Sequence, residues 1–412
     1  MGKSRLMDPY FTELGRTVYA RWKAVDFSLE AFPDIAAKAL GEKPPARHAD
    51  LGKLMVDFLL NDEQPYQSSS GFGQPELILH DNPKFYIQAL FWMDGTTDIH
   101  QHGFSGAFHV MAGSSLHARY DFLKPRSVTA RFRTGELKLR ETALLPTGTT
   151  VPIASGSGCI HSLFHLETPS VTIVVRTHSD PGTDPQFTYL PPHVALDPIQ
   201  NDTLTLRRKQ LLDVLEQTED PSYPELVLRL IAELDLERGF FILQNGIGYL
   251  RSLGVWETVW AAFVKKHGAK ARPLLPALEE ILRRDAIVAM RATVTDPDLR
   301  FFLALLLNLP DRERILGMVA KRYKGDPVST VSQWALELID LGEEYPRILD
   351  AVFPDQTSVP EEERPGVFLA ALDHFLRGGK LPAGLRGVSK HDLALLGRAL
   401  AKSSWSLLRR KS

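Results

Sequence analysis

The chain has 412 residues, 44% of them hydrophobic and 24% charged, with a formal net charge of -2. That length builds two or three domains with ordinary cores, and the near-neutral charge argues against nucleic acid or an anionic membrane as the main partner. The single cysteine, Cys159, excludes an internal disulfide and fits a reducing, cytoplasmic compartment. The first residues hold no apolar signal region. The longest apolar runs, such as "FFLALLL" at 301–307, fall far short of a membrane span.

In chain order, residues 10–62 read as two or three helices punctuated by Pro33, Pro44 and Pro45. From about residue 76 the pattern turns to strands. "KFYIQALFW" (84–92) and "SVTIVVRTH" (170–178) are aromatic and β-branched runs. "SVTARFRTGELKLRE" (127–141) alternates with period two around a glycine, which predicts a hairpin turning at that glycine. Short strands between Gly- and Pro-rich turns argue for a sandwich or barrel. The Pro-rich stretch 180–198 reads as a wrap or linker. Helical periodicity then runs almost throughout 203–412. Asp296 and Pro297 are placed as N-cap and first helical residue, and Ser389 and Asp392 have the spacing of a capping box. Gly254, Gly342 and the run 377–384 are the expected breaks.

Seven of the 13 histidines fall between residues 100 and 178. His100 and His102 are two apart, so on a strand both imidazoles point to one face. His161, after the Gly/Ser-rich turn "ASGSGC", is the best third ligand from a later strand. Such a set leaves open positions on a metal for substrate or dioxygen. A lone histidine is more often a hydrogen-bonded core or surface residue, and His117 is expected at the surface. His165 is read as an outer partner of the site, and Cys159 as a buried filler.

"KFYIQALFWMDGTTDIHQHGFSGAFHVMAG" and "GCIHSLFHLETPSVTIVV" resemble the two core motifs of the cupin superfamily, and more narrowly its cysteine-dioxygenase-like branch, over residues 75–180. The likeness lies in Lys84, Phe85, Trp92, Gly95, Ile99, His100, His102, Phe108 and Gly113, and in His161 with the motif ending at Pro169. It implies a small jelly-roll barrel holding mononuclear iron(II), or another divalent metal, on His100, His102 and His161. At the family's catalytic tyrosine this chain has Arg176, and at that tyrosine's supporting histidine Val174. The cross-linking cysteine falls at Ala107, and the carboxylate-gripping arginine falls near Pro75. The resemblance therefore implies a retained metal cradle without the pocket for cysteine.

The family register turns Tyr86, Gln88, Leu90 and Trp92 inward, with Ala107, His109, Val174 and Arg176. Tyr86, Gln88 and Trp92 are then candidate substrate contacts, and His109 and Arg176 candidate catalytic groups. Glu141 and Asp180 are alternative ion-pair partners for Arg176. The expected fold is α+β and multidomain: an N-terminal helical segment (1–75), a cupin-type β-barrel with the metal site (76–200) and an all-helical domain (201–412). The expected function is a non-haem iron(II) oxygenase acting with O2 on a small or flexible metal-chelating substrate other than cysteine. A metal-dependent isomerase or hydrolase on the same barrel stays open, as does a non-catalytic ligand-binding or interaction protein. No nucleic acid or membrane is expected as partner. The helical domain is open to a second copy of the chain or to a protein partner.

Overall fold

In the computed structural model the described residues are 9–61, 65–67, 72–93, 95–197, 202–340, 353, 357–378, 388–402 and 405–409. Gly342 and residues 379–384 lie outside them. The chain divides into two compact units, Met1–Leu282 and Arg283–Ser412.

The first unit begins with helices α1 (Pro9–Lys23), α2 (Phe32–Glu42), α3 (Pro45–His48) and α4 (Leu51–Leu60). The prolines open helices rather than interrupt them: Pro33 lies in the first turn of α2 and Pro45 in that of α3. Proline suits those positions because the first N–H groups of a helix have no internal acceptor. Asp50 caps α4 by accepting from the Lys53 N–H at 2.8 Å.

Eleven described strands follow: β1 (Glu76–Asp81), β2 (Phe85–Trp92), β3 (His100–His102), β4 (Gly106–Ala112), β5 (Ser115–Ser127), β6 (Phe132–Leu145), β7 (Thr150–Ile153), β8 (Gly156–His165), β9 (Ser170–Thr177), β10 (Thr188–Leu190) and β11 (Val194–Leu196). They form a five-stranded sheet, β1-β2-β9-β4-β7, and a closed ring, β10-β11-β6-β5-β8-β3. The fold is the α+β, cupin-like one expected, with helices before the strands and a helical second half.

Two expectations change. The reversal between β5 and β6 falls at residues 128–131, where the Val128 N–H donates to the Phe132 carbonyl at 2.8 Å. Gly135 sits inside β6. There a Cβ would meet Phe122 Cζ at 2.7 Å and the Leu123 carbonyl at 2.8 Å, so the glycine serves close packing of the strands. The Pro-rich stretch is also more than a linker. Its β10 and β11 close the ring, Thr188 pairing with His100 and Val194 with Thr134.

Strand alternation sorts the cores. Phe85, Ile87, Ala89 and Phe91 of β2 and Val171, Ile173 and Val175 of β9 pack with Phe11, Val18, Trp22, Phe32 and Leu40 of the N-terminal helices. The other face of the same sheet carries Leu90, Trp92, Phe108, Val110 and Val174. Inside the ring lie Ile99, Ala118, Tyr120, Ile160, Phe187, Tyr189 and Ala195. Beyond the ring, Phe132 and Val194 share a core with α5 (Thr203–Gln217), α6 (Tyr223–Glu233), α7 (Leu236–Ser252), α8 (Trp256–His267) and the start of α9 (Leu275–Thr293).

The second unit includes α10 (Pro297–Asn308), α11 (Arg312–Arg322) and α12 (Pro327–Asp340), with further helices at Arg364–Leu376 and Lys390–Lys402. The expected caps are present. Asp296 accepts from the N–H groups of Asp298 and Leu299 at 2.9 and 3.0 Å. The Asp392 N–H donates to Ser389 Oγ at 3.0 Å. Every residue of α10 from Leu299 to Asn308 is buried. Among the described residues, no helix is long and apolar enough to cross a membrane.

Candidate metal centre

Strand β3 supplies His100 and His102, and β8 supplies His161. His100 lies opposite His161 and His102 opposite Gly156, with an irregularity in register between the two pairs. Ile99 and Ile160, the preceding residues, belong to the core inside the ring. Successive side chains on a strand point to opposite faces. The histidines therefore face the space between the ring and the five-stranded sheet, where the His102 ring centre lies 4.4 Å from Phe104 and that of His161 6.3 Å from Phe108.

The three imidazoles are buried, each offering a ring nitrogen, and these nitrogens all lie within 4.8 Å of one another. The Nε2 atoms of His102 and His161 are 2.9 Å apart. Two nitrogens bound at a right angle to one ion, each about 2.0–2.1 Å from it, would stand about 2.9 Å apart. His100 Nδ1 donates to the Asp98 carbonyl at 2.7 Å. A carbonyl only accepts, so the neutral ring keeps its lone pair on Nε2. That Nε2 is buried with no hydrogen-bond partner, as is His102 Nδ1. An unpaired buried acceptor is costly, and a cation at the cluster relieves that cost at His100. The donor set fits a first-row divalent ion: three imidazoles and, among the described residues, no carboxylate.

Burial, reinforced by neighbouring positive groups, holds His102 and His161 well below the ordinary imidazole value of 6.5. Burial lowers His100 as well. Neutral imidazole is the form that binds a metal.

His117 is 4% exposed and its Nε2 lies 2.9 Å from His161 Nδ1. The surface placement expected for it is wrong. Ser115, His117 and Arg119 alternate with Leu116, Ala118 and Tyr120, and β5 pairs with β8 so that His117 faces Leu163 and Arg119 faces His161. The alternation was the available signal; it was hidden because both faces of this strand are buried. Phe104, which separates His102 from Arg176, carried no signal of its own.

Tyr86, Gln88 and Trp92 lie on the inner face of β2, as expected. Trp92 donates its indole N–H to Thr172 Oγ1 at 3.2 Å and stacks on His165 with ring centres 4.8 Å apart. His165 is fully buried, its Nδ1 2.9 Å from Ser115 Oγ. Gln88 is 1% exposed and its Oε1 has no hydrogen-bond partner. Tyr86 is opposite Arg176 on β9. Neither Glu141 nor Asp180 forms an ion pair with Arg176. Glu141 takes Arg119 at 2.8 Å, and Asp180 accepts from Ser105 at 2.5 Å and Thr177 at 2.6 Å.

His109 and Ala107 do not face the cluster. They pair with Ile173 and Val175, on the side covered by the N-terminal helices, while Phe108 and Val174 take the inner side. The family register is offset by one residue at this strand, and a one-residue offset turns every side chain over. His109 Nδ1 lies 2.8 Å from Thr150 Oγ1, remote in direction from the metal ligands. Cys159 is buried, and burial pushes its thiol up to about 11.

No family model matches the chain, and no curated protein matches it. Solved structures match at low identity. A hydroquinone 1,2-dioxygenase from a Sphingomonas species, with 4-hydroxybenzoate bound, is 11% identical, covering 26% of this chain and 68% of its own, with a TM-score of 0.20. A hydroquinone 1,2-dioxygenase in complex with Cd2+ and 4-hydroxybenzonitrile is 15% identical, covering 31% and 73%, with a TM-score of 0.21. An oxalate oxidase is 17% identical, covering 40% and 79%, with a TM-score of 0.21.

Proposed function

We propose that the chain is a metal-dependent oxygenase in which His100, His102 and His161 hold a single iron(II). The observation that carries this reading is the meeting of three buried, neutral imidazoles, two with their Nε2 atoms 2.9 Å apart. The motif likeness to the cysteine-dioxygenase-like branch supports iron as the metal. When bound, iron supplies a Lewis-acidic, redox-active centre for oxidation by dioxygen. The substrate is a small or flexible metal chelator other than cysteine. A donor set without carboxylate sets the site apart from the two-histidine, one-carboxylate triad.

The protein's own groups prepare the site. The Asp98 carbonyl fixes the tautomer and direction of His100, and His117 holds the direction of the His161 ring through its Nδ1. Phe104 and Phe108 set their rings beside His102 and His161, and Leu163 and Val174 belong to the same apolar cluster. His109 has no part in the chemistry, because it faces away.

Metal analysis tests the reading. Anaerobically prepared protein reconstituted with iron(II) is expected to retain about one ion per chain. His100→Ala, His102→Ala and His161→Ala are each expected to lose it, along with substrate-dependent oxygen uptake. A folded His100→Ala variant with full metal content would falsify the proposal. Turnover without oxygen, supported equally by zinc, would point instead to an isomerase or hydrolase.

A further inference from the structure

We infer that Arg176 forms a carboxylate subsite beside the three histidines, with Gln88 accepting from a donor on the same ligand, so that the ligand is a short acid with a metal-binding group at one end and a free carboxylate at the other. The inference rests on the metal reading of the histidines and adds the substrate class. Arg176 is half-buried, and among the described residues no carboxylate lies within ion-pair reach of it. Its guanidinium donates only to two backbone carbonyls, Thr177 and His178, each at 3.3 Å. A guanidinium carries five N–H donors, so most of the fork is free.

The charged groups near Arg176 are already accounted for. Asp180 is held by Ser105 and Thr177. Glu76 contributes only at a distance, and Tyr86 presents its ring, 5.1 Å from the guanidinium carbon. A guanidinium stacked on aromatic rings keeps its edge available for a bidentate carboxylate.

Position ties this fork to the histidines. The guanidinium carbon is 3.3 Å from the centre of the Phe104 ring, which lies 4.4 Å from that of His102. The guanidinium is therefore no farther than about 8 Å from the His102 ring. Gln88 is the second, independent observation. It is the diagonal neighbour of Arg176 on the inner face, since Tyr86 pairs with Arg176 and Gln88 with Val174. Diagonal partners of this length reach a common point. Its buried Oε1 has no hydrogen-bond partner; an amide oxygen only accepts, so it is placed to take an O–H or N–H of the same ligand rather than the carboxylate itself.

Succinate and its monoamide, succinamate, are the probes. Both offer a carboxylate to a metal, and only succinate offers a second to Arg176. Each is titrated into full-length cobalt(II)-loaded protein, following the cobalt absorption and the heat of binding. Succinate is expected to bind about tenfold more tightly or better, as for a charge-assisted fork. In Arg176→Gln the ratio is expected to fall to within about twofold with cobalt content unchanged, and Arg176→Lys restores part of it. No preference in the wild-type protein, or an undiminished preference in Arg176→Gln, overturns the subsite. Should cobalt not bind at all, the metal reading fails separately. The same two probes are then titrated into metal-free protein. An acid preference lost in Arg176→Gln upholds the subsite, and no preference overturns it.

Discussion

Replacing Gln88 with methionine is expected to stabilise the protein while weakening its ligand binding. Gln88 is 1% exposed, and its Oε1 has no donor. Burying an amide without a hydrogen bond costs about 1–3 kcal/mol in proteins. Methionine has nearly the same length and volume, so the swap leaves little cavity or strain, with a cost below about 1.5 kcal/mol. The neighbours Leu90, Phe108 and Val174 offer it an apolar surface. The net expectation is about 1–2 kcal/mol of added stability in ligand-free protein. In a unit the size of Met1–Leu282 that raises the melting temperature by about 2–8 °C. Urea unfolding, with the slope unchanged, and calorimetry measure it. A Gln88→Met protein less stable than wild type by about 1 kcal/mol or more would mean the amide is satisfied in the native state, for instance by an internal water. The reasoning about Gln88, including its part as an acceptor for the ligand, would then be wrong.

Three further outcomes are expected. His117→Phe should keep the fold and lower metal affinity about 10–100-fold, as loss of an outer partner does; competition with a chelator measures this, and an unchanged affinity refutes the orienting role. Gly106→Ala should destabilise by about 1–3 kcal/mol or more, because its Cβ would lie 2.2 Å from the Val175 carbonyl; the urea midpoint reports it. Burial lowers His109 from 6.5 to about 4. The unfolded chain therefore takes up this proton first, and stability falls as pH drops from about 6.5 to about 4. His109→Leu should flatten that slope, and a slope unchanged across this window would contradict the assignment.

The strands of a cupin-like barrel were readable because β2 and β9 are nearly continuous apolar runs and because the histidine pair is separated by one residue. Their direction followed from period two alone. What the residues did not disclose was register and pairing. β4 reads "GAFHVMA" with both faces buried, so apolarity could not tell inside from outside, and His109 and Phe108 exchanged places. His117 was missed for the same reason. The segment 180–198 looked like a linker because its five prolines are as many as its β-branched and aromatic residues. Its strands are three residues each, too short for periodicity to register. The helix caps at Asp296 and Ser389 were legible, since capping depends on a few adjacent residues rather than on partners far away in the chain.

The closure of the six-stranded ring by β10 and β11 decides where the protein can be cut. A fragment ending at Asp180, the natural choice from the motif boundaries, would strip Thr188 from its place beside His100 and leave that three-residue strand with an open edge. Ending after Asp197 would restore the ring but uncover Phe132 and Val194, which lie against the helices up to Leu282. The smallest excised piece that keeps both the ring and the cover over Phe132 and Val194 therefore runs through Leu282; a piece ending after Asp197 should be sticky, and one ending at Asp180 should fail to retain metal.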